Sequence, residues 1–202
     1  MKLRIFIISN LILFSYLVSA QITTTPELPI ATQNVTITFD SSKESRLGFF
    51  TGELFTHTGV KIEGNNDWQH VIGSWGNNTD QPKLTNKGNG IYELAITPDI
   101  NSFYSVPANE KVIQLAFVFR SADGSSQTND MFVNVFKDGL VVEITEPSST
   151  GILAKNQAVS ISAISSVNAS LKLFLNETTL TQNTGKEISA THTFAESGTF
   201  WI

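Results

Sequence analysis

The sequence predicts an all-β protein built as an antiparallel sandwich. Three observations carry this: runs of strict polar–apolar alternation, turn signals between them, and no amphipathic helix with caps. In Asn34 to Asp40 the apolar Val35, Ile37 and Phe39 alternate with polar neighbours, the period of a strand buried on one side. Ile91 to Thr97 repeats the pattern with Tyr92, Leu94 and Ile96. It is entered through Asn89-Gly90, a pair suited to the positive φ angles of a tight hairpin turn. Val112 to Arg120 sets Ile113, Leu115, Phe117 and Phe119 on one face, with Gln114 and Arg120 on the other. Met131 to Phe136 supplies a further strand after the turn-rich Ala122 to Ser126.

The rest of the chain is organised around these strands. Residues 21–30 hold Thr and Pro without any period and read as an extended lead-in. The stretch Leu47 to Thr85 contains Phe49, Phe50, Phe55, Trp68 and Trp75 broken up by glycines and asparagines, and reads as short strands and long loops. Residues 31–138 thus form one sandwich, with a boundary at Lys137-Asp138-Gly139. Beyond it, Val141 to Pro147 looks like a strand closed by a proline turn, and Ala158 to Ile164, Ser170 to Leu175 and Ile188 to Phe194 give three more. Their inward faces are Val159, Ile161 and Ala163 in one and Leu171, Leu173 and Leu175 in another. Gly198 to Ile202 reads as a strand in progress. Residues 140–202 are therefore expected to be an incomplete second sandwich, since a missing last strand leaves an unpaired apolar edge.

The first residues and the composition bound location and partners. Lys2 and Arg4, an apolar run from Ile5 to Val18 and the small Ser19-Ala20 form the pattern of a secretory signal peptide, residues 1–20. Its apolar run is shorter than the ~20 residues of helix that a bilayer core requires, so cleavage before Gln21 and release from the membrane are expected. The chain has no cysteine, which removes disulfides, thiolate zinc sites and the lipid attachment of a bacterial lipoprotein together. A net charge of -5 argues against nucleic acid and anionic membrane surfaces as partners. With only 15% charged residues, the surface is built largely from neutral hydrogen-bonding side chains, which suit an exported β-protein and a sugar ligand.

No catalytic or metal motif emerges. The three histidines, His57, His70 and His192, have no neighbour at a spacing that metal binding or general-base work favours, and they read as ordinary surface or strand residues. No Gly-x-Ser-x-Gly elbow, Walker or Rossmann glycine pattern occurs, and no cofactor is implied. Asp123-Gly124 lacks the later carboxylates of a calcium loop and reads as a hairpin turn. Four Asn-x-Ser/Thr acceptors, at Asn34, Asn77, Asn168 and Asn176, matter only in a eukaryotic secretory host.

The informative stretch is Asn65 to Asp80. Flat rings stack on pyranose faces while short amides and carboxylates bind hydroxyls, so Trp68, Trp75, Asn77, Asn78 and Asp80 are the candidate carbohydrate-binding residues. Trp68 and Trp75 are an odd number of positions apart. On one continuous strand they would face opposite sides, and at most one would be core.

Several segments carry a family resemblance: Val35 to Arg46, Phe50-Thr-Gly52, His57 to Val60, Trp68 to Trp75, Lys83 to Tyr92 and Phe117 to Arg120. Together they resemble the N-terminal module of secreted α-amylase-family glycoside hydrolases of Bacteroidetes-type bacteria. The strands around Asn89-Gly-Ile-Tyr92 and Phe117-Val-Phe-Arg120 are also similar to those of starch-binding accessory modules, and the region from Leu140 resembles the start of a bacterial immunoglobulin-like domain. The resemblance implies an immunoglobulin-like or starch-binding-module-like β-sandwich followed by an incomplete immunoglobulin-like one. It implies an α-glucan polysaccharide as partner and a catalytic domain C-terminal to residue 202, with no catalytic residue in the stretch itself. A structural spacer, or an adhesin without sugar binding, is the alternative the composition permits.

Overall fold

The computed structural model describes residues 21–48, 50–147 and 155–196, with 198, 200 and 202. The expected leader, Phe49, and Thr199 and Trp201 of the expected last strand lie outside the described residues.

The described chain is all-β. Strands β1 (Ile22–Thr25), β2 (Val35–Asp40), β5 (Thr85–Gly88) and β6 (Ile91–Ile96) form one antiparallel sheet in the order β1-β2-β6-β5. Strands β3 (Leu54–Ile62), β4 (Asn65–Gln69), β7 (Val112–Ser121) and β8 (Met131–Asn134) form a second in the order β4-β3-β7-β8. One short helical turn, α1 (Ile100–Phe103), lies between β6 and β7, started by the Asp99 side chain accepting from the Ser102 amide.

The two sheets close on one apolar core. Val35, Ile37 and Phe39 of β2 and Tyr92, Leu94 and Ile96 of β6 face Leu54 and Val60 of β3 and Leu115, Phe117 and Phe119 of β7. Phe39 stacks on Phe119 across the interface with ring centres 4.3 Å apart. Each such fully buried side chain contributes about 1.5–3 kcal/mol, and with no disulfide this packing holds the sandwich together. The Asn89-Gly90 hairpin forms as the sequence predicts, with φ of 53° and 79°, and joins β5 to β6.

Four features differ from the sequence reading. Residues 22–25 of the expected lead-in are an edge strand, because Ile22 to Thr25 pair with Thr36 to Phe39 of β2. Within the stretch expected to be short strands and loops, β3 runs for nine residues through the middle of its sheet. Its inward positions include Thr56 and Thr58, polar residues that mask the apolar alternation. Strand β7 is buried on both faces, Ala116, Val118 and Arg120 included; Asn78 and Gln81 lie against Arg120, which therefore does not reach solvent as a surface residue.

The fourth difference lies after the boundary. The expected strands 158–164 and 170–175 are one strand, β10 (Ala158–Leu175), which pairs with β11 (Thr178–Thr193) and with β9 (Val142–Glu146) in the order β11-β10-β9. No glycine or proline interrupts Ser165 to Asn168, so the ladder is only shifted between Ile164 and Ala169. The hairpin bends there, and its halves pack on each other. Ile161 and Ala163 share an apolar cluster with Leu171, Leu173 and Ile188, and Val159 shares one with Leu175 and Phe194. The inward faces are those the alternation predicts.

Candidate functional site

The outer face of the β4-β3-β7-β8 sheet gathers several aromatic residues that the core of the first sandwich does not use. Phe55, His57, Gly59 and Lys61 of β3 stand opposite Arg120, Val118, Ala116 and Gln114 of β7, and Phe132 of β8 stands opposite Ala116. The His57 ring lies 5.6 Å from Trp68 and nearly parallel to it, and meets Trp75 edge-on at 4.8 Å. Trp68 in turn meets the Phe132 ring edge-on at 6.2 Å, and the Lys61 ammonium sits 4.0 Å over Phe132. Four rings thus run across the sheet.

Trp68 and Trp75 reach this face by different routes. Trp68 is on β4, held close to β3 because residue 59 is glycine; a Cβ there would come within 2.8 Å of the Gln69 carbonyl oxygen. Trp75 belongs to the loop after β4. Positive φ angles at His70 and Gly73 turn the chain between them, so the odd spacing of the tryptophans does not set them on opposite sides. Neither is a core residue: Trp68 is half-buried and Trp75 is 55% exposed.

Polar side chains fix the loop. Asn77 Oδ1 accepts from the Thr79 amide, and Asn77 Nδ2 donates to Asp80 Oδ2 at 2.7 Å, so these two candidates are paired with each other on the exposed rim. Asn78 is engaged beneath: its Oδ1 accepts from Arg120 Nη1 at 2.6 Å, and its Nδ2 donates to the Ala122 carbonyl at 2.6 Å. The buried Gln81 accepts a longer contact from Arg120 and donates to the Ser74 carbonyl and to His57 Nδ1. With Nδ1 accepting, the neutral His57 ring carries its proton on Nε2. Burial, and then the Arg120 charge, push the His57 pKa below its ordinary value, against a smaller upward pull from Asp130.

Three contacts went unseen in the sequence. His57 is the hub of the aromatic strip, Phe132 extends it, and His70 Nε2 lies 2.5 Å from Glu110 Oε2. No local spacing announces the His70–Glu110 pair, whose members come from different loops. Among the described residues no group of three or more His, Asp or Glu side chains could hold a metal ion. The Asp123 carboxylate accepts from Ser121 Oγ, Ser125 N and Ser125 Oγ, which holds the 122–126 turn and draws its pKa down to about 2. No family model matches this chain, and no curated protein matches it in sequence.

Proposed function

We propose that the 31–138 sandwich is a carbohydrate-binding accessory module of a secreted α-glucan hydrolase, with its ligand lying on the Trp75–His57–Trp68–Phe132 strip. The observation that carries this reading is the exposed Trp75 ring at the head of a line of aromatic side chains on a sheet face that the core does not need. A sugar ring presents an apolar face and an equatorial belt of hydroxyls; Trp75 and Trp68 would take the face, and Asp80 and Asn77 on the rim would take hydroxyls. Leader cleavage before Gln21 and a catalytic domain after residue 202 belong to the same proposal.

Native gel electrophoresis of the folded chain with and without soluble starch tests it. Starch should retard the wild-type chain, and Trp75→Ala should lower affinity about tenfold, since burying one ring contributes about 1–3 kcal/mol. Equal migration of the wild-type chain in both gels would overturn the reading. The spacer alternative requires both tryptophans to be structural, and the exposure of Trp75 weighs against it.

A further inference from the structure

We infer that Arg120 is the positioning residue of this face, holding the Trp75 ring outward for its ligand through Asn78 and Gln81; the inference rests on the carbohydrate-binding reading. Arg120 is the oddest charge among the described residues. It is only 7% exposed, and no described carboxylate lies within ion-pair distance of it. A long side chain on the outer side of a sheet ordinarily extends its head into water, and burying a cation against neutral amides alone is costly.

The geometry shows what that burial does. Arg120 Nη1 reaches Asn78 and Gln81 on the C-terminal side of Trp75, and Gln81 donates onward to Ser74, the residue before it. Asn78 also ties the loop to the neighbouring 122–126 turn through Ala122. The guanidinium lies close over Gly124, a glycine with positive φ, where a Cβ would stand 2.9 Å from Nη2. Among the described residues the ring packed on Trp75 is His57, which the same Gln81 orients. A half-exposed indole has little apolar burial to fix it, so the buried cation and its amides set its direction. Asn78, a sugar contact on sequence grounds, thereby becomes a latch behind the contact surface.

The test uses the full chain labelled with 5-fluorotryptophan, the Trp75 resonance being assigned by its loss in Trp75→Phe. Arg120→Lys and Asn78→Ala should move the Trp75 19F resonance, leave that of Trp68 in place, and lower affinity for soluble starch about tenfold, the effect of one lost charge-assisted hydrogen bond. Asn78→Asp keeps the oxygen that Arg120 needs but loses the donor to the Ala122 carbonyl, so relative to Asn78→Ala it should recover part of the resonance position and of the affinity. Should Arg120→Lys fail to fold, Asn78→Ala, at a half-buried position, carries the test. An unmoved Trp75 resonance in Asn78→Ala, or full starch affinity in a variant whose resonance has moved, overturns the inference. A wild-type chain that binds no starch overturns the functional reading instead, and the resonance shift then still reports whether Arg120 positions the ring.

Discussion

Replacing Thr58 by Val should destabilise the protein far more than the loss of one hydroxyl suggests. Thr58 is fully buried on β3, and its Oγ1 donates to the Ala116 carbonyl at 2.8 Å. The same oxygen lies 2.7 Å from the Tyr104 hydroxyl. Because Thr58 spends its proton on Ala116, the phenol donates to Thr58. Valine keeps the volume and removes the acceptor, leaving a buried O–H with no partner, at a cost of about 1–3 kcal/mol. Tyr104→Phe removes the donor while Thr58 keeps its bond to Ala116, so its cost is smaller, about 0.5–1.5 kcal/mol. The double variant should cost less than the two singles added, with a coupling of about 1 kcal/mol. Urea unfolding of the four proteins measures this, and each kcal/mol should appear as about 2–4 °C in Tm for a chain of this size. The same pair has an alkaline signature. Burial raises the Tyr104 phenol well above its ordinary pKa, so above about pH 10 the unfolded chain loses a proton that the folded chain keeps, and stability falls as pH rises. Tyr104→Phe should flatten that fall. A Thr58→Val protein as stable as the wild type, or strictly additive singles, would refute the reasoning.

Further outcomes are expected elsewhere in the molecule. Burial, and then the Arg120 charge, hold His57 below its ordinary pKa, with Asp130 the opposing charge, so the folded state prefers the neutral ring. The stability it contributes is present above about pH 6.5 and is lost as pH falls through the lower folded value; urea midpoints between pH 7.5 and 5 should decline less steeply in His57→Gln. Gly59→Ala sets a Cβ against the Gln69 carbonyl oxygen and should cost about 1–3 kcal/mol while shifting Trp68 emission, read by thermal melts followed by fluorescence. Ile161→Ala, at the centre of the bent hairpin, should cost about 2–5 kcal/mol in urea unfolding monitored by circular dichroism.

How much of this was legible in the sequence depends on what each residue reports. Val35, Ile37 and Phe39, or Leu171, Leu173 and Leu175, announce their inward face because every inward position is apolar. β3 did not, because Thr56 and Thr58 are inward; the Thr56 hydroxyl is satisfied by the neighbouring His57 carbonyl, and that of Thr58 by Ala116 O and Tyr104, partners brought to it only by folding. The Asn89-Gly90 turn is a local matter of φ angles and was readable. The bend of β10 was not, since no breaker residue marks it. Trp68 and Trp75 were identifiable as candidates by composition, but their convergence depends on two positive φ angles in the intervening loop, at His70 and Gly73. Arg120 looked like a solvent-facing strand residue because alternation says which side a residue faces and nothing of what covers that side. Asn78 was noticed as a hydrogen-bonding amide, and only the fold reveals that the amide is spent on Arg120.

The bent β10–β11 hairpin also bears on the order of assembly. Its two strands meet across the two-residue turn at Asn176-Glu177, with Leu175 paired to Thr178, and every later pair is reached by zipping outward from there. Such contacts close small loops, and hairpins form on the order of microseconds. The central pairing of the preceding sandwich joins Leu54 to Ser121 and must first bring distant parts of the chain together. A chain leaving the ribosome therefore presents its slow half first, and its fast half folds almost as soon as Thr193 emerges. The exposed Leu140, Val142 and Ile144 lie between the two, and β9 pairs with β10, so this joint is the part of the nascent chain that stays unpaired until the hairpin has formed.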